Sequence, residues 1–173
     1  MVCFDVNFPA TAQILAMRGV EEIAMPTGES NYFGPKHALL RRARAIEDSV
    51  YIVCANHRDT SGSHRPVNQQ FGHSATIDHN GQIPSDIEGP GEATTQATID
   101  VGSLRTFRKS ISQLNLLPQV KSQFYTKFYE KCDLWPLDVY LDDPVTDTAA
   151  SAAAMAKVIE RMEKPKLQEM IER

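Results

Sequence analysis

The segment VYIVCAN at positions 50–56 constrains the fold of this chain more than any other. It is apolar up to its final asparagine and rich in β-branched and aromatic side chains, which is typical of a strand buried on both faces. We therefore predict a strand deep inside a sheet, in a domain whose core needs further layers to cover it.

Residues 2–5 predict the end of a strand, and together with the next helix and strand they predict a βαβ unit at the start of the sequence. TAQILAMRGV (11–20) is a helix that ends at Gly19, and VEEIAMP (20–26) is a strand closed by turn residues. KHALLRRARAIEDS (36–49) is a second helix. Its apolar face is expected at Leu39, Leu40, Ala43 and Ile46 or Glu47, with Arg41, Arg42 and Arg44 on the wetter faces. The fold class is α/β.

The segments after the buried strand predict a loop, a hairpin and one more strand. Positions 58–70 are polar and contain glycine, serine and proline, so they predict a surface loop that borders a site. GHSATIDHNGQI (72–83) predicts two antiparallel strands around Asn80-Gly81. ATTQATID (93–100) predicts another strand.

The C-terminal third predicts less regular structure. VGSLRTFRKSI (101–111) is a short helix with Ser103 as its cap. Positions 111–144 mix aromatic residues, prolines and charges without a clear period, and we expect an extended tail that packs on a surface. The alanine-rich end predicts a helix interrupted near Pro165. We expect a domain over 1–110, followed by a tail and helix over 111–173 that pack on the domain or on a partner.

Composition narrows the function classes. The 173 residues are 42% hydrophobic and carry a net charge of -4, which suits one globular domain and argues against nucleic acid or a membrane surface as partner. No export signal or membrane span is visible, so we expect a cytoplasmic protein. The sequence has three widely spaced cysteines, Cys3, Cys54 and Cys132. An odd number at this spacing fits reduced thiols better than a disulfide framework.

Cys3 is the first candidate for chemistry. It lies where residues 2–5 predict the end of a strand, directly before a helix. The positive end of a helix lowers the pKa of a thiol and stabilises a developing anion, which suits a nucleophile. The alternative is that Cys3 is a small buried apolar residue and that Asp5 only caps the helix. Cys54 and Cys132 are interpreted as packing residues.

Glu47 and the histidines are the other candidates. Because Ala43 and Ile46 are expected to face the core, the Glu47 carboxylate is expected to be partly buried; alternatively it is a surface residue paired with Arg44 or Lys36. Four histidines (His57, His64, His73 and His79) lie within 23 residues. His73 and His79 would share a face on one strand, but the spacings match no compact ligand motif, so we predict no metal site.

Four fragments occur in this order: VCFDVNFP, LLRRARAIEDSVYIVCANH, FGHSATIDHNGQI and ATIDVGSLRTFR. Together they resemble the second half of a carbon-nitrogen hydrolase of the nitrilase superfamily, over about residues 2–110. The resemblance implies part of a four-layer αββα sandwich and a hydrolase that attacks a small nitrile, amide or carbamoyl substrate, without cofactor or metal. It implies that Cys3 is the nucleophile, that the Phe4 backbone N–H stabilises the oxyanion, and that Glu47 is the glutamate that orients the site.

The sequence departs from the family in one respect that bears on activity. The base glutamate and the lysine of the family come from segments before the cysteine, where this sequence has only Met1 and Val2. Lys109, Lys121 and Lys127 are not assigned in their place. We expect the C-terminal half of a longer enzyme, with an uncovered sheet, little turnover by itself, and association with the missing half or as a homo-oligomer. The alternative is a non-catalytic interaction module.

Overall fold

The computed structural model describes residues 1–57, 71–88, 91–130 and 147–162. The chain divides into two compact units, Met1–Val120 and Lys121–Arg173. In the described residues, no helix combines the length and apolar character needed to cross a membrane.

The first unit is a mixed α/β structure built on one four-stranded sheet. Its elements are a 3-10 helix (Cys3–Asn7), α1 (Pro9–Met17), β1 (Glu22–Thr27), α2 (Gly34–Asp48), β2 (Tyr51–Asn56), β3 (Ser74–Ile77), β4 (Ser85–Ile87), α3 (Val101–Arg108) and a 3-10 turn (Leu117–Gln119). The strand order is β1-β2-β3-β4. β1 and β2 are parallel, whereas β3 is antiparallel to both of its neighbours, so the predicted hairpin is confirmed. The βαβ unit predicted over residues 2–26 is wrong, because Cys3–Asn7 forms a 3-10 helix, and the parallel pair is instead β1 and β2, joined through α2.

One face of the sheet carries the core. Ile23 and Met25 of β1 pair with Ile52 and Cys54 of β2, and all four side chains are buried. They pack with small residues of the helices, since Ala12, Ala16 and Ala45 belong to the same apolar cluster. Small side chains let the helices approach the sheet closely.

The opposite face of the sheet is open along β1 and at the end of β2, whereas Tyr51 and Thr76 on the same face are buried. Ala24 and Pro26 of β1 and Ala55 of β2 point to this face and are exposed. The prediction that residues 50–56 are buried on both faces is therefore confirmed on the helix side but wrong along the second half of β2. The expected uncovered apolar surface is present.

α2 is rotated relative to the prediction. Arg41 and Arg44 are buried, with 2% and 5% of their surface exposed, while Leu39 is 66% exposed. The predicted helical period is correct, but two arginines are buried because each has polar partners in the interior: Arg41 binds Glu29 and Cys54, and Arg44 binds the Val6 carbonyl. Ser49 is the C-cap residue that follows α2, and it adopts a left-handed conformation with φ 50°.

The hairpin between β3 and β4 depends on the turn predicted around Asn80-Gly81. The Asp78 carboxylate accepts hydrogen bonds from the backbone N–H groups of Asn80 and Gln82, at 2.9 and 2.8 Å. Gly81 has φ 74°, a left-handed conformation that favours glycine, and a Cβ there would lie 2.6 Å from Cδ1 of Ile46 and would displace that side chain.

Two predictions for residues 93–111 need correction. Residues 93–100 form no strand, and the last of them, Asp100, is the N-cap of α3. α3 is present, but its cap is Asp100 and not Ser103: the Asp100 carboxylate accepts the Ser103 N–H at 2.8 Å.

The predicted extended tail is wrong in part. Residues 111–120 belong to the first unit, and buried Asn115 donates to the carbonyls of Arg108 and Ser110. In the second unit, α4 (Ser122–Tyr129) occupies part of the tail, while α5 (Thr148–Met162) confirms the alanine-rich helix. The predictions for residues 58–70, for Cys132 and for the break at Pro165 lie outside the described residues.

Buried Asp48 predicts a pH-dependent stability. Burial raises the pKa of its carboxyl from 3.8 to about 6; repulsion from Glu47 adds to this effect, and attraction by Arg44 and Arg108 opposes it. As pH rises from 4 to 6 the unfolded chain loses its proton first, so the folded state loses stability. Asp48→Asn removes this loss. The difference in free energy of unfolding between Asp48→Asn and wild type should therefore increase, in favour of the variant, by at most about 3 kcal/mol from pH 4 to pH 8.

Urea titrations at pH 4, 6 and 8 measure this effect, with the exposed Glu22→Gln variant as control. Parallel curves for wild type and Asp48→Asn across this range would show that the prediction is wrong.

Candidate functional site

Cys3 opens the short 3-10 helix and has a strained backbone. Its φ is 41°, in the left-handed region that costs a non-glycine residue about 1 kcal/mol or more. Residues 2–5 are therefore not the end of a strand: only Val2 is extended, and the Met1 amino group donates to the Ala24 carbonyl of β1 at 3.3 Å. The thiol residue is half-buried.

The helix that follows Cys3 directly is the 3-10 helix, since α1 begins only at Pro9. Asp5 caps this short helix: its carboxylate accepts the Val2 N–H at 2.8 Å, and its own N–H donates to the Val2 carbonyl at 3.0 Å. The capping role weighed for Asp5 is confirmed. The conformation of the Cys3 turn (Val2–Asn7) is thus held by its own side chains.

Phe4 places its backbone N–H in the first turn of this helix, where N–H groups have no intrahelical acceptor. Its ring is exposed and packs edge-on against Phe8, with ring centroids 5.5 Å apart. The Phe4 carbonyl accepts a hydrogen bond from the Asn7 amide at 2.9 Å. The peptide groups beside Cys3 therefore have defined orientations.

Glu47 lies on the solvent side of α2. Its side chain is 46% exposed and forms an ion pair with Arg44 at 2.6 Å, so the expected partial burial is wrong and the alternative of a surface pair with Arg44 is what the structure shows. Arg44 in turn donates from Nε to the carbonyl of Val6 at 3.3 Å. Glu47 is thereby linked to the Cys3 turn through Arg44.

A buried polar cluster, missed from the sequence, lies under α2. Glu29 is 2% exposed, and its carboxylate lies 2.9 Å from Nη1 of Arg41 and 3.2 Å from Nδ1 of His37. Thr27 donates to the same carboxylate at 3.1 Å, and Arg41 also donates to the Cys54 sulfur at 3.0 Å. We call these five residues the Glu29 cluster.

The Glu29 cluster forms at the carboxyl ends of the two parallel strands. Thr27 ends β1 and Asn56 ends β2. The Asn56 side chain accepts the Glu29 N–H at 2.8 Å and donates to the Gly72 carbonyl at 2.6 Å, which holds the loops after both strands. Two sequence signals could have indicated this site. One is a polar residue just after a parallel strand, as Glu29 is. The other is the spacing of His37 and Arg41, which are four residues apart and therefore share one face of α2.

The two described cysteines have different environments. Cys54 is buried, as the packing interpretation expected, and burial raises the pKa of its thiol to about 11 despite the attraction of Arg41. Cys3 is more exposed and lies at a strained turn. Of the two, Cys3 is the better placed to react.

The histidines do not share one strand face. His73 precedes β3, with its Nδ1 2.8 Å from the Asp86 carboxylate, whereas His79 lies in the hairpin turn between the rings of Tyr51 and Phe107. His57 is exposed, and His64 is outside the described residues. Potential ligand atoms of His73, Asp86 and Glu88 lie within 4.8 Å of one another, but the carboxylates are exposed, and such groups are common without an ion.

Comparison with known proteins places the first unit in a recognised group. A family model described as carbon-nitrogen hydrolase matches residues 1–109. Human deaminated glutathione amidase is 36% identical over 112 residues, which cover 64% of this chain and 33% of the relative. Mouse omega-amidase NIT2 is 33% identical over 127 residues, covering 72% of this chain and 43% of the relative.

A solved structure agrees with this match. Saccharomyces cerevisiae Nit3, of branch 10 of the nitrilase superfamily, aligns with a TM-score of 0.56 at 28% identity, over 65% of this chain and 40% of that chain. The chain thus spans less than half the length of these relatives. The relatives are enzymes by name, which does not favour the interaction-module alternative.

The different environments of Cys3 and Cys54 predict selective labelling. At pH 8 a pKa of about 11 leaves about one Cys54 thiol in a thousand ionised, so iodoacetamide should modify Cys3 first, by at least about tenfold in rate. Peptide mass spectrometry after timed quenching measures both rates. Labelling in guanidinium chloride should abolish the difference, and equal slow labelling of the folded chain would contradict the assignment.

Proposed function

The chain belongs to the carbon-nitrogen hydrolase family, and on this premise we propose that it carries the nucleophile of an amidase-type hydrolase, with Cys3 as that nucleophile. The observation that supports this most is the half-buried Cys3 at a strained, hydrogen-bonded turn. Strained backbone concentrates at functional sites, where the surrounding structure holds it.

The proposed reaction has two steps. The Cys3 thiol gives its proton to the general base, and the thiolate attacks the carbonyl carbon of a small amide to form a tetrahedral oxyanion that the Phe4 N–H stabilises. The base then passes this proton to the amide nitrogen, so that the C–N bond breaks with loss of ammonia and a thioester remains on Cys3. Water then attacks the thioester, releases the carboxylic acid and restores the thiol. No cofactor or metal takes part. The reduced thiol required agrees with the cytosolic compartment expected from the sequence.

We propose a primary amide as the substrate class, in preference to a nitrile. The support is that the named relatives at 33–36% identity are amidases, one for deaminated glutathione and one an omega-amidase. Both names denote hydrolysis of an amide.

We further propose that the open face of the sheet is covered in the working enzyme by the second sheet layer of the sandwich. Exposed Ala24, Pro26 and Ala55 support this, because an apolar face of this kind needs a covering layer. In the proposal that layer carries the base glutamate and the lysine. The residues of this chain alone should then acylate Cys3 but turn over amides slowly.

Acyl transfer to Cys3 is directly testable. p-Nitrophenyl acetate has a leaving group that needs no general acid, so the chain should release one p-nitrophenolate per molecule in a burst and retain an acetyl group on Cys3. Cys3→Ala should abolish the burst, whereas Cys54→Ala should preserve it. A burst that survives Cys3→Ala, or an acetyl group located on another residue, would overturn the proposal.

Glu47 is proposed as a positioning residue that acts through Arg44. Glu47→Gln removes the charge that holds Arg44 on the Val6 carbonyl, so the rate of Cys3 acetylation should fall a few-fold. The half-exposed pair contributes at most about 1 kcal/mol to stability, so the melting temperature should change little. The exposed Glu92→Gln is the matched control, and an unchanged acetylation rate in Glu47→Gln would remove Glu47 from the site.

A further inference from the structure

Buried His37 joins the Glu29 cluster to the Cys3 turn. Its Nδ1 lies 3.2 Å from Oε1 of Glu29, and its Nε2 lies 3.2 Å from Nδ2 of Asn7. The same Asn7 nitrogen donates to the Phe4 carbonyl at 2.9 Å. A continuous line of polar contacts thus runs from the interior to the residue after Cys3.

The hydrogen bonds determine the protonation state of His37. Because Asn7 donates to a backbone carbonyl, the atom facing His37 is its amide nitrogen and not its oxygen. A nitrogen that carries two protons requires an acceptor, so Nε2 of His37 is unprotonated. The single proton of the neutral imidazole is then on Nδ1, which lies 3.2 Å from Oε1 of Glu29 in a contact that lacks hydrogen-bond geometry.

The Asn7 amide therefore has both of its protons engaged. One is held by the Phe4 carbonyl and the other by Nε2 of His37, which is itself anchored in the protein interior. This arrangement fixes the plane of the Phe4–Asp5 peptide. The orientation of Phe4, whose N–H is the proposed oxyanion donor, is thereby restricted next to the strained φ of Cys3.

We propose that His37 and Asn7 are positioning residues for acyl transfer at Cys3, and that the negative charge of Glu29, 3.2 Å from Nδ1, favours the tautomer of His37 that this role requires. The inference rests on the proposed function, because it assumes that the Phe4 N–H binds an oxyanion formed at Cys3. It adds residues on α2 and after β1 to the site.

Two reactions of the same thiol separate positioning from general structure. Acetylation by p-nitrophenyl acetate passes through an oxyanion, and the thiolate displaces p-nitrophenolate and retains the acetyl group. Alkylation by iodoacetamide displaces iodide from carbon and forms no oxyanion. The ratio of the two Cys3 rates therefore reports the oxyanion donor independently of thiol exposure.

His37→Leu removes the acceptor for Asn7, and Asn7→Ala removes the same link without changing the core. Each should lower the acetylation rate about tenfold and leave the alkylation rate within about twofold. His37→Gln offers an oxygen near the position of Nε2 and should restore most of the acetylation rate. In the double variant Asn7→Ala with His37→Leu, the acetylation rate should be little lower than in either single variant, because both substitutions remove the same link.

Buried His79, in the hairpin turn beside Tyr51 at the start of β2, provides the matched control. His79→Leu should leave the ratio of the two rates unchanged, and melting temperatures identify any loss of folding.

Three outcomes overturn the inference alone: wild-type acetylation in His37→Leu and Asn7→Ala, an equal fall of both reactions, or a His37→Gln variant as slow as His37→Leu. A wild-type chain that is alkylated but never acetylated at Cys3 overturns the proposed function, and this inference falls with it.

Discussion

The ion pair between Arg41 and Glu29 is the interaction on which the rest of the site depends. Both side chains are almost completely buried, so loss of either partner would leave a charge in the interior, at a cost of about 3–5 kcal/mol. The pair contributes less to net stability than to specificity: it fixes which face of α2 meets the sheet. Through His37 and Asn7, this choice of helix face extends to the peptide groups beside Cys3.

The sheet explains why the polar cluster lies where it does. In a parallel pair, the carboxyl ends of both strands lie at the same edge, and the chain leaves this edge through loops whose polar groups need partners. Thr27, Glu29 and Asn56 supply those partners at the ends of β1 and β2. The Cys3 turn is linked to this cluster through Asn7 and His37, so it is supported by a rigid part of the fold and not by a loop alone.

The sequence predicted the helical period of α2 accurately, but it predicted only in part which face of the helix is buried. Leu40 packs against the core, whereas Leu39 is exposed, and Arg41 and Arg44 are buried because carboxylate, carbonyl or sulfur acceptors satisfy their guanidinium groups. The same error misplaced Glu47. Its neighbour Ile46 was expected in the core, but the buried face of the helix carries Arg41, Arg44 and Ala45 instead.

The sequence by itself determined the helices and strands between residues 11 and 56, the Asn80-Gly81 hairpin, the family and the candidate thiol, because these depend on local periodicity, turn chemistry and short motifs. Only the tertiary structure decided the partners of Arg41, the Glu29–His37–Asn7 line and the open face of the sheet. The Arg41–Glu29 and His37–Asn7 contacts join residues that are 12 and 30 positions apart in the chain, and a contact between distant residues leaves no periodic trace in the sequence.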